Sequence, residues 1–324
     1  MTLGEESYTR HKNRVKRART LVEIAFVIAA LYLLYTLFFH GKTYQPYSES
    51  QVSPTTDTGF IALSYFGVDR IGDTSTLIGE KQLREHLKAL KDNGYVTITQ
   101  EDIEKYYEKG QPLPEKALYL MFEDGRRDTA IFADDIIEDL NFKGVMMTYP
   151  EKFDHEDPKF LRPSDLKDMT DSTFWELGTN GYRLEYINVY DRYHNFIGEI
   201  DPLTYAMMRP YLGRDYNHYL MDYIRDKDRI PVETLDHMKR RIGYDYSRVA
   251  ELYQEHLGYV PQVYVLMHAN TGKFGNAASV SYENEKWIRK LFTMNFNREG
   301  CSFNQRNSSL YDLTRMQPQP YWPV

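Results

Sequence analysis

The sequence predicts an α/β domain with a mainly parallel sheet, standing behind one membrane-crossing helix. Three observations predict it. Strand-like and helix-like patterns alternate from residue 60 to residue 292, the signature of parallel strands joined by helices. A basic head and a long apolar run open the chain. The stretch Leu118-Tyr-Leu-Met-Phe-Glu-Asp-Gly125 is an apolar, strand-like run that stops at two adjacent carboxylates and a glycine. In α/β sheets the carboxyl ends of strands are where ligands and catalytic groups collect, so Glu123 and Asp124 mark the candidate site.

Taken in order, residues 1–20 hold six Lys/Arg against Glu5 and Glu6 and form a cytoplasmic head. Residues 21–40 carry one charge, Glu23, and span a bilayer core as a helix. The run ends in Leu37-Phe-Phe-His40 rather than in the small residues of a cleavage site, which reads as an uncleaved anchor. Basic residues before it and few after it place the N-terminus in the cytoplasm and the rest of the chain outside. Residues 41–59, rich in Ser, Thr and Pro, read as a polar linker.

The main domain is expected over 60–296. Residues 60–67 form its first core strand, and 79–93 a helix with Leu83, Leu87 and Leu90 at helical spacing and Asn93-Gly94 as its stop. A short strand at 95–99 leads through Thr99 or Gln100 into a helix at 101–109, closed by Gly110. After the central strand come a helix at 129–140, a strand at 144–148, a short helix at 164–169 and another strand-to-loop exit at 174–178. Residues 180–230, crowded with Tyr, Arg and Asp, give no clean period and predict long loops and broken helices. Helices are expected at 231–241, 249–257 and 283–292, with a last core strand at 263–268 ending on His268. The tail, 297–324, has no usable pattern.

Composition narrows the function. The formal charge is −7, of which the first 20 residues contribute +4, leaving −11 for the remainder; such a body lacks the basic face that meets nucleic-acid phosphates. Cys301 is the only cysteine, which excludes an intramolecular disulfide and a cysteine-cluster metal site. The 28 tyrosines fit a surface that handles carbohydrate and equally fit sheet and interface packing.

The order of pieces over 82–128, from Gln82-Leu-Arg-Glu-His-Leu to Met121-Phe-Glu-Asp-Gly-Arg-Arg-Asp128, resembles the first half of a NodB-type polysaccharide deacetylase, carbohydrate esterase family four. The resemblance extends over roughly 60–270. It implies a distorted (β/α) barrel, often of seven strands, and metal-dependent removal of acetyl groups from polysaccharides. On that resemblance Glu123 is the general base, Asp124 a metal ligand, Arg209 of Met208-Arg-Pro-Tyr-Leu-Gly213 the residue orienting the base, and His268 of Leu266-Met-His268 the general acid. Tyr211, Tyr182 and Trp175 are the expected substrate contacts. Glu176-Leu-Gly-Thr-Asn-Gly-Tyr-Arg-Leu184 aligns with the motif that supplies two metal-binding histidines, but Asn180 and Leu184 stand at their places. A zinc site with three protein ligands is therefore not expected.

Two functional classes follow. One is a membrane-anchored hydrolase of exopolysaccharide or cell-wall glycan, using either a harder divalent ion on Asp124, Asn180 and Glu185 or a metal-free carboxylate pair that includes Glu176. Asp191 and His194 are further residues from which a metal site could be rebuilt. The other is a catalytically inactive deacetylase fold that binds glycan, its cleft lined with Tyr182, Tyr186, Tyr190, Tyr193 and Trp175, or that assembles with a membrane polysaccharide synthase.

Overall fold

The structure, a computed structural model, describes residues 3–39, 42–52, 59–72, 76–155, 157–213, 217–298 and 303–322. Cys301 and residues 53–58 of the expected linker lie outside them. The chain divides into Met1–Thr43 and Tyr44–Val324. The first unit is one helix, α1 (Leu3–Phe39). Within it Lys12–Tyr35, with a mean hydropathy of 1.7, is long and apolar enough to cross a membrane.

The second unit is built on a nine-stranded sheet. Its strands are β1 (Phe60–Tyr65), β2 (Val96–Thr97), β3 (Ala117–Phe122), β4 (Gly144–Thr148) and β5 (Trp175–Thr179). A separate three-stranded antiparallel sheet holds β6 (Tyr186–Tyr190), β7 (Phe196–Ile200) and β8 (Asn217–His218). The main sheet then resumes with β9 (Val263–Val265), β10 (Met294–Arg298), β11 (Phe303–Asn304) and β12 (Leu313–Arg315). Parallel pairing runs β1-β3-β4-β5-β9-β10-β12, with β2 beside β3 and β11 antiparallel to β1. The last strand returns to the first: Ser64 N–H donates to Met316 O and Met316 N–H to Ala62 O, both at 2.9 Å. The sheet is thereby curled into a barrel.

The period of two along each strand separates two cores. Phe60 and Ala62, Tyr119 and Met121, Val145 and Met147, Val263 and Val265, Met294 and Phe296, and Leu313 pack together inside the barrel. The alternate residues, such as Leu63, Leu120, Phe122, Met146 and Leu177, pack outward against the helices. Those helices are α2 (Glu80–Asp92), α4 (Arg127–Leu140), α5 (Pro163–Asp171), α7 (Leu235–Leu257) and α8 (Ala278–Leu291), whereas α3 (Gln100–Lys109) packs Ile103 and Tyr106 on the inner cluster and α6 (Pro202–Met208) sets Tyr205 on the small sheet. Thr99 is the N-cap of α3, its hydroxyl accepting from Asp102 N–H, and Gly110 closes that helix in the left-handed region.

Four differences from the sequence reading have physical causes. Residues 44–52 are not a free tether: Tyr44 is buried, its hydroxyl on Thr97 O at 3.0 Å, and the Tyr47 hydroxyl donates to Asp102. Residues 180–230 contain the small sheet, hidden because all five residues of Tyr-Ile-Asn-Val-Tyr in β6 are buried and leave no polar alternation. The two helices expected at 231–241 and 249–257 are one; Gly243 does not break it, because a side chain there would press on Trp287, 3.1 Å from the position of a Cβ. The boundary expected at 296 falls inside β10, and the tail supplies β11 and β12.

Candidate functional site

The inward parity of the strands continues one step past their carboxyl ends. After Met121 the next inward residue of β3 is Glu123; after Ala62 of β1 it is Ser64; after Leu313 of β12 come Arg315 and Gln317. All four side chains meet. Glu123 is fully buried, and its Oε1 accepts from Ser64 Oγ at 2.6 Å, Arg315 Nε at 2.9 Å and Gln317 Nε2 at 2.9 Å. Arg315 is 1% exposed. The guanidinium expected from Arg209 thus comes from the C-terminal tail, while Arg209 is exposed on the turn Arg209–Tyr211. Sequence reading missed Ser64, Arg315 and Gln317; the alternation Leu313, Arg315, Gln317 was the one signal available for the last two.

Asp124 is the half-buried acid of the pair. Its φ of 69°, followed by 61° at Gly125, swings the chain out of the strand. Asp is among the few side-chain residues at home in that region, and Gly125 has no room for a Cβ, which would lie 2.7 Å from Thr148 Cγ2. Burial, then the Glu123 charge, raises the Asp124 carboxyl to about 7, against the opposing pull of Arg126 and Arg315. Its Oδ1 is buried without a hydrogen-bond partner, as are Glu123 Oε2, the Tyr149 hydroxyl and Arg315 Nη1. Tyr149 feels the charges of Asp124, Glu123 and Arg315, so these unpaired atoms belong to one neighbourhood. Unpaired buried polar groups concentrate at ligand and catalytic sites.

His268 follows β9, also left-handed at φ 63°. The residue is exposed, yet its ring is flanked by Tyr186 (5.4 Å, edge-on) and by the buried His218 (6.3 Å, stacked). The protein packed round the ring, then the charges of Arg298 and Arg315, lower it to about 4. The charge of Arg315 is thus felt by both Asp124 and His268.

The other expected residues lie elsewhere. Glu176 is on the second residue of β5, four residues before Asn180, or about 13 Å along a strand, towards the opposite end of the barrel. There it accepts from Gln100 N–H at 3.1 Å. Trp175 is 3% exposed on the outer, helix-facing side, its Nε1 on Asp134 Oδ1 at 2.7 Å. Tyr182 is half-buried against Tyr244, and Tyr211 is exposed with Arg192 over its ring at 5.5 Å.

The comparisons agree with the fold. No family model matches the chain. It is similar to the solved structure of a de-N-acetylase from Aggregatibacter actinomycetemcomitans, with a TM-score of 0.61 and 17% identity over 82% of this chain and 97% of that one. The fold is that of the polysaccharide deacetylases. The BpsB deacetylase domain from Bordetella bronchiseptica (TM-score 0.58, 14% identity, 82% and 97% covered) and IcaB from Ammonifex degensii (0.56, 16%, 81% and 93%) share it. In sequence, 116 residues, 35% of this chain, are 31% identical to the poly-beta-1,6-N-acetyl-D-glucosamine N-deacetylase of Escherichia coli K12. That stretch spans 17% of the relative's length.

Polysaccharide deacetylases of this type imply a divalent metal, and the donors present do not fit one. Asn180 is fully buried, and its Oδ1 accepts the Asp124 N–H at 3.3 Å while its Nδ2 faces Met267 Sδ at 3.6 Å. Leu184 packs on Tyr186, Val189 and Ile200. The Glu185 carboxylate pairs with Arg183 at 2.8 Å, and Asp191 accepts from Tyr193 N–H and Asn195 N–H within its own turn. Among the described residues no group of three His, Cys, Asp or Glu side chains is placed to hold an ion.

Proposed function

We propose that this chain is a membrane-anchored protein that binds an extracytoplasmic amino-sugar polysaccharide at the mouth bounded by Asp124 and His268, without the hydrolytic mechanism of its fold. The observation that carries this reading is the state of Glu123. At the position of the general base, its carboxylate is fully buried and one oxygen is taken by three donors. A base must touch the proton it removes.

The polysaccharide is inferred from the relatives, whose names specify a β-1,6-linked N-acetylglucosamine polymer. The anchor is inferred from α1, with the basic residues ahead of its apolar stretch keeping the N-terminus cytoplasmic. A polysaccharide synthase in the same membrane is the partner this placement favours.

A second reading, hydrolysis, has its own support in Asp124. That residue is half-buried with its Oδ1 buried and unpaired, held in a left-handed conformation and raised to about 7, and the Arg315 charge that reaches it also reaches His268, which are properties that suit an acid–base pair. The test is the full chain in detergent with N-acetylated β-1,6-glucosamine oligomers, following binding by calorimetry and acetate by enzymatic assay. Saturable binding without acetate supports the proposal. Multiple-turnover acetate release, lost in D124N and in H268A, replaces it with the second reading; neither binding nor release overturns both.

A further inference from the structure

We infer that a cavity towards the amino end of the barrel, away from the mouth bounded by Asp124 and His268, is a second binding site whose ligand carries a primary ammonium group. The inference goes beyond the reading given above and does not depend on it. The cavity, about 510 Å³, lies between the start of α3 and the amino ends of β5 and β9, and Glu176, Gln100, Gln254, Tyr259 and Gln262 line it. None of the described residues that line it is basic. Glu176 stands at an inward position of β5, its neighbours Trp175 and Leu177 packing outward. Its Oε2 accepts from Gln100 N–H at 3.1 Å. The amides of Gln254 and Gln262 are anchored through Nε2 to Gly258 O at 2.9 Å and Val260 O at 3.0 Å, which leaves their oxygens as the acceptors offered to a ligand.

Such a wall lacks a positive charge. The cation that acts on Glu176, Lys143, donates to Thr173 O at 2.5 Å and lies over the Tyr44 ring at 5.2 Å. The other charges acting on Glu176 are the acids Asp102 and Glu101, the latter paired with Lys105, and Tyr44 and Tyr119 are the titratable hydroxyls that feel it. Burial raises the Glu176 carboxyl to about 7. An ammonium group brings one positive charge and three N–H donors, which one carboxylate and two amide oxygens satisfy. The Tyr259 ring, 45% exposed, adds a π-face of the kind on which cations sit. A bare metal ion needs oxygens closed round it at about 2.0–2.6 Å, whereas a cavity of this size with an aromatic wall suits an organic amine. An amino sugar and a free alkyl diamine share the ammonium group, and the experiment separates them.

The experiment is calorimetric titration of the full chain in detergent at pH 7 with cadaverine and with D-glucosamine, against N-acetyl-D-glucosamine, which keeps the sugar without the charge. Saturable binding of at least one amine, weakened at least about tenfold in E176Q, is expected, and the tighter of the two identifies the source. Because Glu176 must release its proton to pair with the ammonium, cadaverine should bind more weakly by roughly tenfold per unit as the pH falls from 7 to 5. Q254A/Q262A, changed only at exposed side chains, should weaken the same binding several-fold. Absence of amine binding by the wild type overturns the inference. So does amine binding that E176Q leaves unchanged, or E176Q-sensitive binding of N-acetyl-D-glucosamine as tight as that of D-glucosamine. If far-UV circular dichroism shows E176Q unfolded, Q254A/Q262A decides in its place: weakened amine binding upholds the inference and unchanged binding overturns it. Binding of N-acetylated oligomers at the mouth should be the same in E176Q as in the wild type, so this inference and the proposed function can fail separately.

Discussion

Two buried glutamates sit towards opposite ends of the same barrel and have met opposite solutions. At the carboxyl end Glu123 has a guanidinium, an amide and a hydroxyl on one oxygen. Towards the amino end Glu176 has one backbone N–H, and the ammonium that reaches it, on Lys143, is itself held below its ordinary value by burial. Burial raises Glu176 to about 7, against the opposing pull of the Gln100 N–H and the Lys143 charge. A buried carboxylate with its own cation is committed to one charge state; one without keeps its proton into the neutral range. The contrast explains why Glu176, without a cation of its own, keeps its proton into the neutral range.

The largest effect should come from breaking the paired end. Arg315→Met leaves Glu123 buried and uncompensated, and should lower unfolding free energy by about 3–5 kcal/mol in urea denaturation. The double variant E123Q/R315Q, which removes both charges, should recover most of that loss. If R315M is as stable as wild type, the pair does not hold the tail to the barrel.

The unpaired end predicts a pH dependence instead. The folded chain keeps the Glu176 proton up to about pH 7, whereas the unfolded chain releases it near 4.5, so the folded state binds more protons between those values. Glu176 therefore costs stability progressively as pH rises from 4.5 to 7, and the cost is constant above that. Glu176→Gln should gain on wild type across this window, by on the order of 2 kcal/mol at its upper end, seen by denaturation at pH 4.5 and pH 8. A gain independent of pH would show that Glu176 is not the titrating group.

A smaller shift tests the reach of the paired end. His268 should titrate by NMR near pH 4. In E123Q/R315Q its midpoint should move up, because one of the two positive charges opposing its protonation is gone. The smallest effect is expected at the arginine that the Arg-Pro loop placed in the role Arg315 holds: Arg209→Ala, at an exposed turn, should change stability by no more than about 0.5 kcal/mol and leave the His268 midpoint unmoved.

Much of the barrel was legible because its signals are local. The stop at Asn93-Gly94, the Thr99 cap and the apolar run before Glu123 are written in neighbouring residues, and α2, α3 and β3 form where those signals lie. The small sheet over 180–230 was not, since burial of both faces of β6 erases the alternation by which a strand is read. Glu176 and Trp175 were misplaced for another reason. A strand end can be recognised along the chain, but which of its residues reaches the site depends on register and parity across the sheet, and β5 turns Trp175 outward and starts too far from the mouth for Glu176.

By itself the sequence determined the apolar helix, the alternation of strands and helices, the adjacent acids at the end of the central strand and the loss of the two histidines. Only the tertiary structure decided what surrounds those acids. Arg315 is 192 positions from its partner Glu123. Its placement depends on β12 pairing with β10 and on Met316 pairing with β1, long-range backbone contacts with no local signature. Secondary structure follows from neighbours in the chain, whereas the charge at a buried site is fixed by groups that barrel closure brings together.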